Sequence, residues 1–183
     1  MKIFLTILLF FLLIEDNLYA SKIENITKKL KQTENISFNF IQTIGGKDEK
    51  GECTIQYPKK IFCRYDNRHN KIIVSNGSSL VIKTDMQYYR YPIKKTPLEF
   101  ILDKDFLINK IKSSNMHEVQ NKYIFIKINE NNNNINVFFS KENYELVGWQ
   151  VEDVYQNLAI TYIFNTSVNN HIDKKLFKLP TND

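Results

Sequence analysis

From residue 36 to residue 44 the chain alternates: Ile36, Phe38, Phe40, Gln42 and Ile44 fall on one side, Ser37, Asn39, Ile41 and Thr43 on the other. A period of two belongs to a strand with one buried face, and here that face is aromatic. The same texture recurs along most of the chain. Glu52–Tyr57 and Ile61–Asp66 flank Pro58-Lys59-Lys60, and Lys71–Ser75 and Leu80–Thr84 flank Asn76-Gly77, a strong hairpin signal. Gln87–Tyr91, His117–Val119, Tyr123–Ile128, Ile135–Phe139, Leu146–Asp153 and Leu158–Phe164 read as further strands, and Lys174–Leu179 as a last short one. Gly45-Gly46-Lys47-Asp48 and Asn131–Asn134 read as turns.

Two stretches change period. Ser21–Glu34 reads as a helix capped by Ser21, with Ile23, Ile26 and Leu30 on one face. Thr96-Pro97-Leu98 opens a second helical stretch, with Thr96 as cap, Pro97 in the first turn and Leu98, Ile101 and Leu102 on one face. Asp105–Ile111 reads as a second short helix or a continuation of it. About ten or eleven antiparallel strands without a repeat must curl or split, since open twisted sheets rarely grow beyond that width. The helices must then cover one side of a rolled sheet or plug its mouth. The fold class is therefore mainly β with helices (α+β).

The first twenty residues stand apart. Lys2 precedes an apolar run from Ile3 to Ile14, broken only by Thr6, and Leu18-Tyr19-Ala20 ends on a small residue. That order is a secretory signal peptide cleaved near Ala20; a membrane span needs ~20 apolar residues. The mature domain then covers 21–183 and is exported. Removing Lys2, Glu15 and Asp16 moves the formal charge from +5 to +6. The lysines are scattered among acids and asparagines, which argues against nucleic acid. Cys53 and Cys63 enter an oxidising compartment, where two states stay open. If Tyr57 faces Ile61 the sulfurs are diagonal neighbours, and a two-residue shift of the turn would let them bridge; otherwise they are small buried apolar groups.

Catalytic signatures are missing from the sequence. Five glycines build no phosphate loop or nucleophile elbow. His69, His117 and His171 are dispersed, and His117-Glu118 lacks the second histidine of a zinc-protease helix, because Asn121 stands there. The expectation is a protein that is not an enzyme and uses neither metal nor cofactor. What remains is thirteen Phe and ten Tyr. Alternating aromatic faces serve equally for a plain core and for a lined cavity.

The order of short motifs breaks that tie. Phe40-Ile41-Gln42, then Tyr57-Pro58-Lys59-Lys60-Ile61-Phe62-Cys63-Arg64-Tyr65-Asp66, then Ile72-Ile73-Val74-Ser75-Asn76-Gly77 through Leu80 stand in succession. Thr96-Pro97-Leu98 with Ile101-Leu102, Leu146-Val147-Gly148-Trp149-Gln150-Val151-Glu152-Asp153 and Phe177-Lys178-Leu179-Pro180 follow. In this order they resemble the LolA family, periplasmic carriers of outer-membrane lipoproteins, especially its alphaproteobacterial branch. The resemblance implies an unclosed antiparallel β-barrel with a helical lid enclosing a hydrophobic cavity. One position departs: where the family has an arginine before the proline, which helps hold the lid shut, this chain has Tyr57, able to give one hydrogen bond to a lid carbonyl.

Alternation and the resemblance together assign Phe38, Phe40, Ile55, Ile61, Cys63, Tyr65, Val74, Ile82, Trp149 and Val151 to a lipid-binding lining, with the opposite face as the alternative for each strand, since a one-residue slip reverses it. Tyr57, Leu98, Ile101, Leu102 and Phe106 are assigned to the lid. The implied partners are lipoprotein acyl chains, an inner-membrane lipoprotein-releasing transporter and an outer-membrane acceptor, with the protein a monomer. An envelope sensor of the same fold, or a general lipid or glycolipid binder, is the alternative function.

Overall fold

The computed structural model describes residues 21–120, 122–152 and 157–182. The expected signal peptide and its cleavage point lie outside the described residues. Eleven strands form one antiparallel sheet: β1 (Asn35–Ile44), β2 (Lys47–Gln56), β3 (Lys60–Tyr65), β4 (Ile72–Asn76), β5 (Ser79–Lys83), β6 (Tyr88–Pro92), β7 (Met116–Val119), β8 (Tyr123–Glu130), β9 (Asn133–Ser140), β10 (Leu146–Glu152) and β11 (Leu158–Val168). The order across the sheet is β6-β5-β4-β3-β2-β1-β11-β10-β9-β8-β7. The sheet is long enough to curl, yet β6 and β7 are its two ends and do not pair with each other among the described residues. It is the expected unclosed barrel.

Two helices fill the connection between those ends. α1 covers residues 21–32. After β6 come a 3-10 turn at Ile93–Lys95, α2 (Leu98–Ile101) and α3 (Lys104–Ser113), and then β7. The segment that covers the hollow is thus the covalent link between the sheet's two edges. Local chemistry sets its breaks. Asp103 accepts from the Phe106 N–H at 3.0 Å and so caps α3. Thr96 does not cap α2 as expected: its hydroxyl donates to the Ile93 carbonyl at 2.8 Å, closing the preceding turn, and Pro97 takes the cap position. Ser21, expected as a cap, is itself helical.

Tight turns fix the register. Gly45 and Gly46 at φ 55° and 78°, and Asn131 and Asn132 at φ 47° and 63°, make two-residue hairpin turns with two left-handed positions. On β10, Gly148 adopts φ 153°, and a side chain there would meet the Thr161 carbonyl oxygen at 2.2 Å. Phe138 and Tyr162, its partners on either side, stack at 6.2 Å across the bare position.

Cys53 pairs directly with Cys63, and Gln56 with Lys60, so the register is shifted by two residues from the one that pairs Tyr57 with Ile61. That shift brings the thiols together as a disulfide. The pairing also corrects Val74. It faces Phe62 across β3–β4 while Ser75 faces Ile61, so Ser75 points into the hollow and Val74 lies on the convex face. Val74 is still buried, because the C-terminal segment packs there. That segment is not a strand. It is a 3-10 turn at Lys174–Phe177, capped by Asp173, with Phe177 buried and Lys60 above its ring.

Candidate functional site

The concave face of the sheet is a continuous apolar wall. Of the residues expected to line it, Phe38, Phe40, Ile55, Ile61, Cys63, Tyr65, Trp149 and Val151 belong to the buried core cluster. Phe38 meets Trp149 edge-on at 6.1 Å between ring centres, and Phe40 meets Tyr65 edge-on at 4.9 Å. Phe40 has room because its partner across the pair is Gly51, where an added Cβ would come within 2.9 Å of the ring. Ile82 shares the concave face through its pairing with Ile73, but it is only half-buried. Sequence reasoning missed the far wall: Ile124, Ile126, Val137 and Phe139 are wholly buried there, and their alternation within Tyr123–Ile128 and Ile135–Phe139 carries the signal for it.

The hollow is filled by the chain's own helices. Ile101, Leu102, Leu107 and Ile111 are fully buried against the wall, while Leu98 and Phe106 are half-buried at the margin. Phe106 packs on Phe100 at 5.0 Å. A void of about 20 Å³ remains between α1 and the Tyr57 turn, beside Leu30, Ile36 and Leu146. The larger cavities lie elsewhere; one of about 350 Å³ is a groove on the convex face beside Ser37, Thr54, Phe62 and Leu176.

The wall has polar boundaries. Near the β1–β2 turn the Tyr65 hydroxyl donates to Gln42 at 3.0 Å, and the Gln42 amide donates to the buried Thr161 hydroxyl at 2.9 Å. Burial pushes the Tyr65 phenol well above its ordinary range, and the charge of Glu49 adds to the rise. Lys71 sits 4.0 Å above the same ring and pairs with Glu49 at 2.6 Å. At this end an apolar chain meets a satisfied polar layer.

At the opposite end a latch holds the helices, and it does not use Tyr57. The tyrosine ring packs against the core beneath Lys104, 5.8 Å away, and burial pushes its phenol up as well. The hydrogen bond to a helical carbonyl comes from Lys59, whose backbone N–H donates to Leu102 at 2.7 Å. Lys59 also pairs with Glu99 at 3.0 Å and Asp103 at 3.2 Å. The Ser75 hydroxyl donates to the Lys59 carbonyl at 2.8 Å, and Lys59 adopts a left-handed φ of 63° at the turn. Lys104 adds a second tie, donating to the Thr33 carbonyl just past α1, and Lys110 pairs with Glu130 at 2.6 Å at the far end of α3. Nothing in sequence spacing links Lys59 to Glu99 and Asp103; the cover's fold brings them together.

The Glu99 hydrogen bond raises the Lys59 ammonium above its ordinary pKa of 10.5, burial opposing it and Asp103 adding to the rise. A raised basic pKa means the ion pair contributes fully below 10.5 and is lost as pH climbs through the raised value. Each pair is partly exposed and worth ~0.2–1 kcal/mol. Lys59→Met should therefore speed hydrogen exchange across residues 98–113 about three- to tenfold at low salt. The gap should shrink in high salt and at strongly alkaline pH, and identical exchange in both proteins under all conditions would refute the latch.

Among the described residues no group of three or more His, Cys, Asp or Glu gathers as a metal site, and no helix is long and apolar enough to cross a membrane. The family model described as "Outer membrane lipoprotein carrier protein LolA" matches residues 31–180. No curated protein matches the chain in sequence. The structure resembles an uncharacterized conserved protein from Thermus thermophilus, with a TM-score of 0.52 at 7% identity over 90% of this chain and 95% of that one. A LolA superfamily protein from Nitrosomonas europaea, NE2245, aligns at TM-score 0.46 and 6% identity over 87% and 97%. The Mycobacterium tuberculosis lipoprotein LppX aligns at TM-score 0.46 and 11% identity over 86% and 100%.

Proposed function

Because this chain belongs to the LolA family, we propose that it is a periplasmic carrier that takes the acyl chains of lipoproteins into its concave face and ferries them between membranes. The observation that carries this reading is the filled hollow. A wall of aromatic and aliphatic side chains is covered by an equally apolar helical lid, and the lid is fastened at its rim by ion pairs.

Each acyl methylene taken out of water is worth ~0.8 kcal/mol, so a naked hollow would hold several chains too firmly to release them. Here Ile101, Leu102, Leu107 and Ile111 already occupy the wall. An arriving acyl chain displaces them, and binding is the difference between two apolar contacts. Release to a more apolar acceptor then needs no chemistry at this protein. A transporter that frees lipoproteins from the inner membrane would load the carrier, and an outer-membrane acceptor would unload it. Cleavage of the first twenty residues near Ala20 would deliver the domain to that space.

Trp149 is the only tryptophan in the chain and is buried in the wall. Stearate bearing a nitroxide on its chain should therefore quench most of the protein's tryptophan fluorescence, saturably, and unlabelled stearate should reverse the effect. A water-soluble nitroxide at the same concentration should quench little. Equal quenching by both reagents, or none by the stearate, would end the acyl-binding reading without any variant having to fold.

A further inference from the structure

One edge of the sheet differs from the rest of the surface. From Tyr88 to Lys95 the sequence is Tyr-Tyr-Arg-Tyr-Pro-Ile-Lys-Lys, with no acidic residue. This segment is β6 and the turn after it, the free end of the sheet beside the lid. Tyr89 and Tyr91 stack at 6.4 Å and stay 44% and 37% exposed, and Met86, just before the strand, is 83% exposed. Elsewhere Lys22, Lys29, Lys59, Arg64, Lys71, Lys110 and Lys141 pair with carboxylates, and exposed lysines such as Lys28, Lys31 and Lys122 lie in other segments of the chain. Among the described residues no carboxylate pairs with Arg90, Lys94 or Lys95, which are all exposed; Arg90 only donates to Ser79.

We propose that this edge docks on an anionic phospholipid bilayer. Exposed tyrosines with a thioether beside them suit the interfacial zone, where an amphipathic ring keeps its hydroxyl wet. Three uncompensated cations next to them match acidic headgroups. The free strand edge keeps its backbone groups in that hydrated zone. A second copy of the chain is the poorer occupant, because Pro92 lacks an N–H and the cations would face like charges across a paired edge. Docking here sets the lid hinge against the bilayer, since Lys95 leads directly into Thr96 and α2. Tyr89 and Tyr91 pair with Ile82 and Leu80 and so carry the concave face out to its free rim, while Arg90 lies on the convex side; the inference concerns this exposed rim and not the enclosed wall.

The test is sedimentation of the purified protein, its N-terminus defined by mass, with vesicles of phosphatidylethanolamine and phosphatidylglycerol, and with vesicles of phosphatidylcholine alone. Binding should require phosphatidylglycerol and vanish in 0.5 M salt, about three times physiological ionic strength. Replacing Arg90, Lys94 and Lys95 by glutamine should weaken partitioning about a hundredfold, and Tyr89→Ser with Tyr91→Ser about tenfold. Replacing the exposed Lys28, Lys31 and Lys122 by glutamine removes the same charge elsewhere and should change it no more than about twofold. Circular dichroism should be unchanged in the edge variants, and the nitroxide-stearate titration should be unchanged in the variant that replaces Arg90, Lys94 and Lys95. Equal loss in the Lys28 set, equal binding to phosphatidylcholine, or no binding by the unaltered protein overturns the proposal. So does a dimer in solution that the edge variants abolish.

Discussion

Leu102→Ala should weaken the protein and tighten its grip on acyl chains at once. Leu102 is fully buried under the sheet, so truncation costs the closed state ~2–5 kcal/mol. The same loss falls on the state that competes with cargo. Apparent affinity scales with the fraction of molecules whose wall is free, so it should rise at least about tenfold. Phe40→Ala makes the contrast: it removes a comparable side chain from the wall, which both states use, and should lower stability and affinity together. The Leu102 carbonyl that accepts from Lys59 survives the change, so the latch stays in place. Chemical denaturation and the Trp149 quenching titration measure the two quantities. Parallel changes in both variants would mean that the helices are ordinary core and not a removable occupant.

The second large effect concerns the bridge beneath them. Cys53 and Cys63 close a loop of 10 residues, which in the chain-entropy picture is worth about 3 kcal/mol. Replacing both by alanine should lower the melting temperature by roughly 5–12 °C for a domain of this size. A reductant should shift the unaltered protein by the same amount and leave the alanine pair untouched. Failure of the reductant to move the unaltered protein under denaturing conditions would remove the bridge as a source of stability. The hairpin it staples carries Lys59 at its turn, so the alanine pair should also show faster hydrogen exchange across residues 98–113.

The strands are legible because their faces are unequal. Ile36, Phe38 and Phe40 against Ser37 and Asn39 favour one inward reading, and Asn76-Gly77 marks its hairpin without help. Legibility fails where both faces are buried. Ile72, Ile73 and Val74 are all apolar, so alternation cannot choose between them, and the face of Val74 is set by pairing with Phe62. It is buried because a distant C-terminal turn covers it, and apolar residues there look like one more strand. The latch is hidden for a different reason. Lys59, Glu99 and Asp103 are unremarkable charges until the lid folds back over 40 residues of chain, the Lys59–Glu99 separation. The family pattern points to Tyr57, two positions away, whereas the function falls on a residue whose backbone and ammonium both reach the lid.

Among the described residues the lid is also the stretch of chain that runs from one rim of the sheet to the other. It works like a drawstring threaded through both hems: an object wedged beneath it tugs on β6 and β7 together. Gap width and helix height then form one coordinate, not two. On the proposed carrier reading, slender cargo would be seated with little tension, while anything bulky would load both rims before it is enclosed. If the protein carries acyl chains as proposed, the tether would grade passengers by girth and leave the folded body of whatever bears those chains outside.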